Sequence, residues 1–321
     1  MRRLAAAFAA LALTGLGHAV VAQTYPTKPI RVVVPFPPGG TSDIIGRTLG
    51  QKLTEAWNQQ VIVDNRGGVA GSLGVANATK SPPDGYTLVV GNVGPVAINA
   101  HVYRNVGYDP LKDFTPISLV VAGPQLVVVH PSVPAKNLKE FVALTKSQKG
   151  KLNFGSSGPG SISHLAAEMY KLMTNTEMVH IPYTGSALIT NDLIAGHVDL
   201  CFSDLPVILP HVKSGRLRAV AVTGAKPTPL VPGIPAMADS VPGFAITSWW
   251  GLLGPAGMPE PIVTRLNTEV VRILQLADVK ERFANLGVDT IPGTPGDFSS
   301  FIKSEYTKFA KLIKDVGVKI E

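Results

Sequence analysis

The chain has 321 residues, enough for two ordinary domains or one large one. Hydrophobic residues make up 45% and charged residues 16%, which supplies a sizeable core and excludes a disordered chain. The formal net charge is +7, but the densest basic run, KSQKGK at 146–151, has no interleaved aromatics and reads as a solvated helix end, so nucleic acid is excluded as a partner.

Residues 1–22 read as a secretory signal. Arg2 and Arg3 precede an apolar stretch from Leu4 to Leu16, and Val20-Val21-Ala22 offers small residues for cleavage. The stretch is short for a membrane span, the other reading it allows. No later stretch reaches membrane length without proline or charge. The chain is therefore expected to be exported, and the mature protein to be free of the membrane.

The pattern that follows alternates strand and helix. IRVVVP (30–35) reads as a buried strand, and Ile44, Ile45, Leu49, Leu53 and Trp57 recur at helical spacing over 42–56. QVIVD (60–64), GSLGVANATK (71–80) and YTLVVG (86–91) continue as strand, helix and strand. This βαβαβ order predicts a parallel sheet with helices on its faces. The rhythm restarts with QLVVVH (125–130), a helix over 137–148 and LNFGSS (152–157). A helix from Ser161 to Met173, MVHIPY (178–183), a helix over 185–195, VDLCFS (198–203) and RAVAVT (218–223) follow. Phe298, Phe301, Ile302, Phe309, Leu312, Ile313 and Val316 form one stripe of a C-terminal helix.

Each α/β unit carries a turn rich in glycine or serine between a strand and a helix. The first is Pro37-Pro38-Gly39-Gly40-Thr41-Ser42, and the second is Gly155-Ser156-Ser157-Gly158-Pro159-Gly160-Ser161. A helix start presents unpaired N–H groups and the positive end of the helix dipole. Glycine lets a ligand approach that backbone and hydroxyls add donors, a combination suited to a carboxylate or phosphate. The plainer reading is two tight turns with helix caps. Asp43 also has two readings: it caps the helix or pairs with Arg47, or it takes part in the pocket.

Other chemistries find little. There is no G-x-G-x-x-G after the first strand, and the glycines at 67–74 lack a P-loop lysine. The seven histidines show no metal-ligand spacing and there is no C-x-x-C, so neither a metal nor another cofactor is expected. Cys201, the one cysteine, lies in an apolar run and reads as a small buried hydrophobe. An exported serine hydrolase using Ser157 or Ser161 with His164 is the alternative function, although GSSGPGS is not a G-x-S-x-G elbow.

The series PFPPGG (35–40) with Asp43 and Arg47, VDNRGGVAGSLG (63–74), SPPDGYTL (81–88), YDPLKDFTPISLV (108–120), NFGSSGPGSISHLAAE (153–168), VHIPYTG (179–185), DLIAGHVDL (192–200), LRAVAVTG (217–224) and WWGLLGPAGMPEPIVTRLN (249–267) resembles the tripartite tricarboxylate transporter receptors, or Bug family, of periplasmic solute-binding proteins. The resemblance implies two α/β lobes of the Venus-flytrap type joined by two crossing strands, near Gly123-Pro124 and Thr247-Ser248. Lobe 1 would be 23–123 with 248–321, and lobe 2 would be 124–247. It implies a carboxylate held by Gly39, Gly40, Thr41, Ser42 and Asp43, against Ser156, Ser157, Ser161 and His164. Phe36 would be a cleft wall and Tyr183 a further site residue. The implied function is a monomeric receptor, not an enzyme, for a small di- or tricarboxylate, aromatic carboxylate or amino acid. It would serve inner-membrane transporter subunits or a sensor kinase. Thr184 stands where relatives often carry a basic residue, and IPAMADSVPGF (234–244) departs from their common loop. Asp204 is expected to cap the next helix, with a cleft position as the other reading.

Overall fold

The computed structural model describes residues 25–317. The signal-peptide reading of residues 1–22 lies outside the described residues.

The first half builds β1 (Ile30–Val34), α1 (Thr41–Trp57), β2 (Val61–Asn65), α2 (Ser72–Thr79) and β3 (Thr87–Asn92). β1 lies between β2 and β3 and runs parallel to both. β1 reads Ile-Arg-Val-Val-Val, and its four aliphatic side chains are buried, as expected for a strand covered on both faces. The chain then crosses on β4 (Phe114–Val129) into a second half of α3 (Leu138–Ser147), β5 (Asn153–Ser156), α4 (Ile162–Thr174), β6 (Val179–Pro182), α5 (Ser186–Ala195), β7 (Leu200–Asp204), α6 (Leu205–Lys213) and β8 (Arg218–Val222). β5 sits between β6 and β7, parallel to both, which repeats the order of the first half. The chain returns on β9 (Thr247–Pro255), followed by α7 (Glu260–Gln275), α8 (Ala277–Asn285), β10 (Asp289–Thr290) and α9 (Pro295–Val316).

β4 and β9 tie the halves together. They run antiparallel from the Phe114–Pro255 pair to the Pro124–Thr247 pair. Beyond that point β4 pairs with β7 from Gln125 and with β8 from Leu126. The change of partner therefore falls at Gly123-Pro124 and Thr247-Ser248. The sequence reading placed a strand only at 125–130, because prolines within a run argue against a strand interior. Here Pro116 lies at a register shift and Pro124 at the last β9 pair, so neither removes a needed ladder bond. The helices α6, α7 and α8 were not anticipated individually.

Successive strand residues face opposite sides, and β9 uses this to hold both helical layers. Trp249 Nε1 donates to Glu305 Oε2 of α9 at 3.0 Å, whereas Trp250 Nε1 donates to Ser42 Oγ of α1 at 3.1 Å. Both indoles are 1% exposed. Between β9 and α9 there is no room to spare, since a Cβ built on Gly251 would lie 2.1 Å from Phe298 Cζ. Gly251→Ala should therefore destabilise the fold by about 1–3 kcal/mol, the usual cost of overpacking. Adding Phe298→Leu should recover part of that loss, as measured by urea denaturation of the two variants.

Candidate functional site

In open α/β sheets the ligand crevice lies at the carboxyl ends of the strands, where the strand order reverses. Each half has such a point, between β1 and β3 and between β5 and β7, and the two face one another. Together they bound a cleft with about 500 Å³ of empty space, part of it open to solvent.

Four helix starts contribute its walls. Thr41 and Ser42 open α1, Ser161 to Ser163 open α4, Ser186 opens α5, and Asp204 precedes α6. Gly40, Gly185 and Asp204, at the cap positions of α1, α5 and α6, supply no side-chain cap bond. At α4 the Ser161 hydroxyl accepts the His164 N–H at 3.3 Å. The first N–H groups of a helix have no acceptor within the helix, and their dipole end favours an anion. Phe36 and Ala70 of the first half and Phe202 of the second add apolar wall.

Buried polar atoms without partners concentrate here. Among the described residues, Thr41 Oγ1, Asn92 Oδ1, Gln125 Oε1 and Ser203 Oγ are shut off from water and take no hydrogen bond, and all four residues line the cleft. Such an atom costs about 1–3 kcal/mol, so a cluster of them marks a place where a partner belongs.

Phe36, Gly40, Thr41, Ser42, Ser157, Ser161 and Asp204, named from the sequence, line this cleft. Gly39, Asp43, Ser156, His164 and Tyr183 do not: Gly39 is exposed beside Ala187 of α5, and Asp43, Ser156 and His164 are buried behind the lining. Asp43 turns away from the cleft and accepts Gly39 N–H at 3.0 Å, Arg47 Nε at 2.9 Å and Asn65 Nδ2 at 3.0 Å. Burial alone would raise its carboxyl, but these donors outweigh it and hold it below the usual carboxylate range. The reach back to Gly39 resembles a capping box. It leaves the Thr41 and Ser42 amides uncommitted to any side-chain cap. The glycine that the backbone itself requires is Gly39, at φ 82°, whereas Gly40 is extended at φ −81°. Gly40 matters for space instead, because a Cβ there would lie 3.2 Å from Ser186 Oγ across the cleft.

Ser156 is fully buried with its Oγ 2.5 Å from His180 Nε2. His180 and His164 stack with ring centres 4.1 Å apart, and His164 Nδ1 accepts Gly160 N–H at 3.2 Å. This buttress fixes the serine loop. Tyr183 Oη donates to Asp192 Oδ2 at 2.7 Å, on the far side of α5. The hydrolase reading loses its geometry, since the His164 ring bonds to the loop backbone rather than to the hydroxyl of Ser157 or Ser161.

Asp204 corrects the cap expectation. It occupies the cap position of α6, but its carboxylate makes no cap bond. Oδ1 accepts Ser248 Oγ at 2.6 Å and Gln125 Nε2 at 3.1 Å. Burial pushes its carboxyl above the usual range, against the pull of these two donors. The sequence reading missed Asn92, Gly94, Gln125, Ser163, Ser186 and Ser203. Asn92 and Ser203 sit at or beside the carboxyl ends of β3 and β7, a place the strand-end rule could have flagged. Gln125 had no signal, because its β4 neighbourhood reads as plain apolar strand.

The halves meet around this cleft. Tyr103 Oη donates to the Pro159 carbonyl, and Gly185 packs against Pro37. Val69 and Ala70 hold left-handed φ of 49° and 47°, a strained conformation for residues with a Cβ, beside the same contact.

The comparisons identify the lineage. A profile described as "Tripartite tricarboxylate transporter family receptor" matches residues 45–318. The chain belongs to this family. It is 33% identical over 313 residues to protein BugT of Bordetella pertussis, covering 97% of this chain and 96% of that one. Rpa4515 of R. palustris, solved with adipate, superposes with a TM-score of 0.89 at 35% identity, covering 91% of this chain and 98% of that one. MatC of Rhodopseudomonas palustris, solved with bound malate, superposes with a TM-score of 0.85 at 28% identity, covering 90% and 100%. The two-lobed periplasmic-binding-protein architecture is thus shared, and the family is one of receptors rather than enzymes.

The histidine buttress makes the stability of this receptor depend on pH. Burial lowers both His164 and His180 to about 4. An unfolded histidine titrates near 6.5, so between these values the unfolded chain binds more protons. Stability should be full above about pH 6.5 and fall steadily towards about pH 4. Urea midpoints across that range should show the fall, and His180→Phe should flatten it.

Proposed function

We propose that this chain is exported to the periplasm, where it captures a small organic carboxylate and closes around it. The loaded form would then be handed to inner-membrane subunits of a tripartite tricarboxylate-type transporter or read by a sensor kinase. The observation that carries this reading is the coincidence of unpartnered buried polar atoms with four helix starts in one cleft. A carboxylate supplies acceptors for the N–H groups and hydroxyls at once. The adipate and malate of the two relatives point to the same ligand chemistry. Lobe 1 is taken as 23–123 with 248–321 and lobe 2 as 124–247, with β4 and β9 as the hinge. A ligand that contacts both lobes stabilises the closed form over the open one, and a few kcal/mol of such preference moves the population. Monomeric action suits this scheme, because one chain supplies both walls.

Binding is tested on protein freed of co-purified ligand by unfolding and refolding. A panel of carboxylates should contain acids that raise the melting temperature, and their methyl esters should not. Gly40→Val should abolish binding, because the added side chain meets Ser186 as the lobes close. Thr41→Val, which removes one unpartnered hydroxyl, should weaken it by about 1–2 kcal/mol, roughly tenfold. An ester that binds as well as its acid, or normal binding by folded Gly40→Val, would overturn the anion site.

Export has its own check. The mass of the protein recovered from the periplasm should correspond to cleavage after Ala22, leaving Gln23 first. A soluble periplasmic chain that retains residues 1–22 would contradict it.

A further inference from the structure

Asp204 is the one ionisable side chain among the residues that line the cleft. An anion-binding cleft with a carboxylate and no facing Lys, Arg or His poses an electrostatic problem. Two carboxylates in a confined space repel one another, and burial removes the water that would screen them.

The hydrogen bonds around Asp204 show which partner is missing. Ser248 and Gln125 both donate to Oδ1, and Oδ2 takes no protein donor among the described residues. Gln125 lies opposite Asp204 in the β4–β7 register and is 1% exposed. Its Nε2 is committed to Asp204, which fixes the amide so that Oε1 is the free atom, and Oε1 has no partner. Flipping the amide would set oxygen against oxygen. Two acceptor atoms, one on each of two residues that pair across β4 and β7 and line the cleft, are therefore left without a protein donor. The helix starts of α1 and α4, by contrast, offer donors.

We infer that Asp204 Oδ2 and Gln125 Oε1 form an ammonium subsite, so that the preferred ligand is an amino acid, its carboxylate on the helix starts and its ammonium between these two acceptors. This rests on the carboxylate-receptor reading and narrows it. An ammonium supplies three donors and one positive charge, which satisfies Gln125 and pairs with Asp204. A dicarboxylate could use the same place only if Asp204 took up a proton on Oδ2. Burial pushes its carboxyl in that direction, so the two ligand classes compete on a defined basis. The preference sets this chain apart from the relatives solved with adipate and malate, both dicarboxylates.

The test is calorimetry on ligand-free full-length mature protein at about pH 7.5. The probes are straight-chain aminocarboxylates from glycine to 6-aminohexanoate, each matched in length with a monocarboxylate and, where one exists, a dicarboxylate. At the length that fits, the amino compound should bind at least about tenfold tighter than its matched partners. Asp204→Asn should weaken that compound by at least about tenfold and strengthen the dicarboxylate. Gln125→Met, which changes no charge, should also weaken the amino compound, and it serves if Asp204→Asn fails to fold. The inference is overturned if dicarboxylates bind tighter at every length, or if the preference is the same in both variants. Binding of plain carboxylates with no binding of any amino compound removes the subsite and leaves the receptor reading standing. If no probe of any series binds, both fall.

Discussion

A helix that begins inside a protein brings N–H groups that its own turns cannot satisfy. This receptor places four such beginnings around one cleft and leaves three of them without a side-chain cap. Much of the surrounding structure follows from that constraint. The strands β1, β5 and β7 aim the helices α1, α4 and α6, and the short turns between them fix where each first N–H points. The wall is mostly hydroxyl, amide and backbone, with one ionisable side chain. Oriented dipoles of this kind suit an anion without the long side chains that would fill the space.

The residues behind the wall are as specific as those on it. Asp43 gathers Gly39, Arg47 and Asn65, and so braces the first loop. The stacked His164 and His180 do the same for the serine loop. Trp250 reaches from β9 to the Ser42 hydroxyl, so the returning strand helps to set the start of α1. Because β9 also pairs with β4 along the crossing, the start of α1 is connected to both strands that join the halves. Ser248 and Gln125 sit at that crossing and hold Asp204. The polar cluster around Asp204 is thus built on the two strands that join the halves.

Much of this was legible before any coordinates. Period-two and period-3.6 patterns located β1, α1, β2, β3, α3, β5, α4 and α9 to within a few residues, because buried faces impose those periods. The two glycine- and serine-rich turns were visible because strand-to-helix transitions that approach a ligand need residues without bulk. The long crossing strand was read only in its second part, since Pro116 and Pro124 look like breaks until their partners are known.

The sequence by itself determined the repeated α/β rhythm and both glycine- and serine-rich strand-to-helix turns, because these are local: a few neighbouring residues set the turn and the helix start. It also determined the family, through a series of short motifs in order. Only the tertiary structure decided which polar groups face the cleft and which stand behind it. Asp43 and Asp204 show why. Each is an acid beside a helix start, and each fits a cap from its neighbours alone. Asp43 turns inward because Asn65, 22 residues away, and Arg47 supply donors there. Asp204 leaves one oxygen without a protein donor while Ser248 and Gln125, 44 and 79 residues away, hold the other. A side chain's direction follows the nearest satisfied hydrogen bonds, and distant segments supply them.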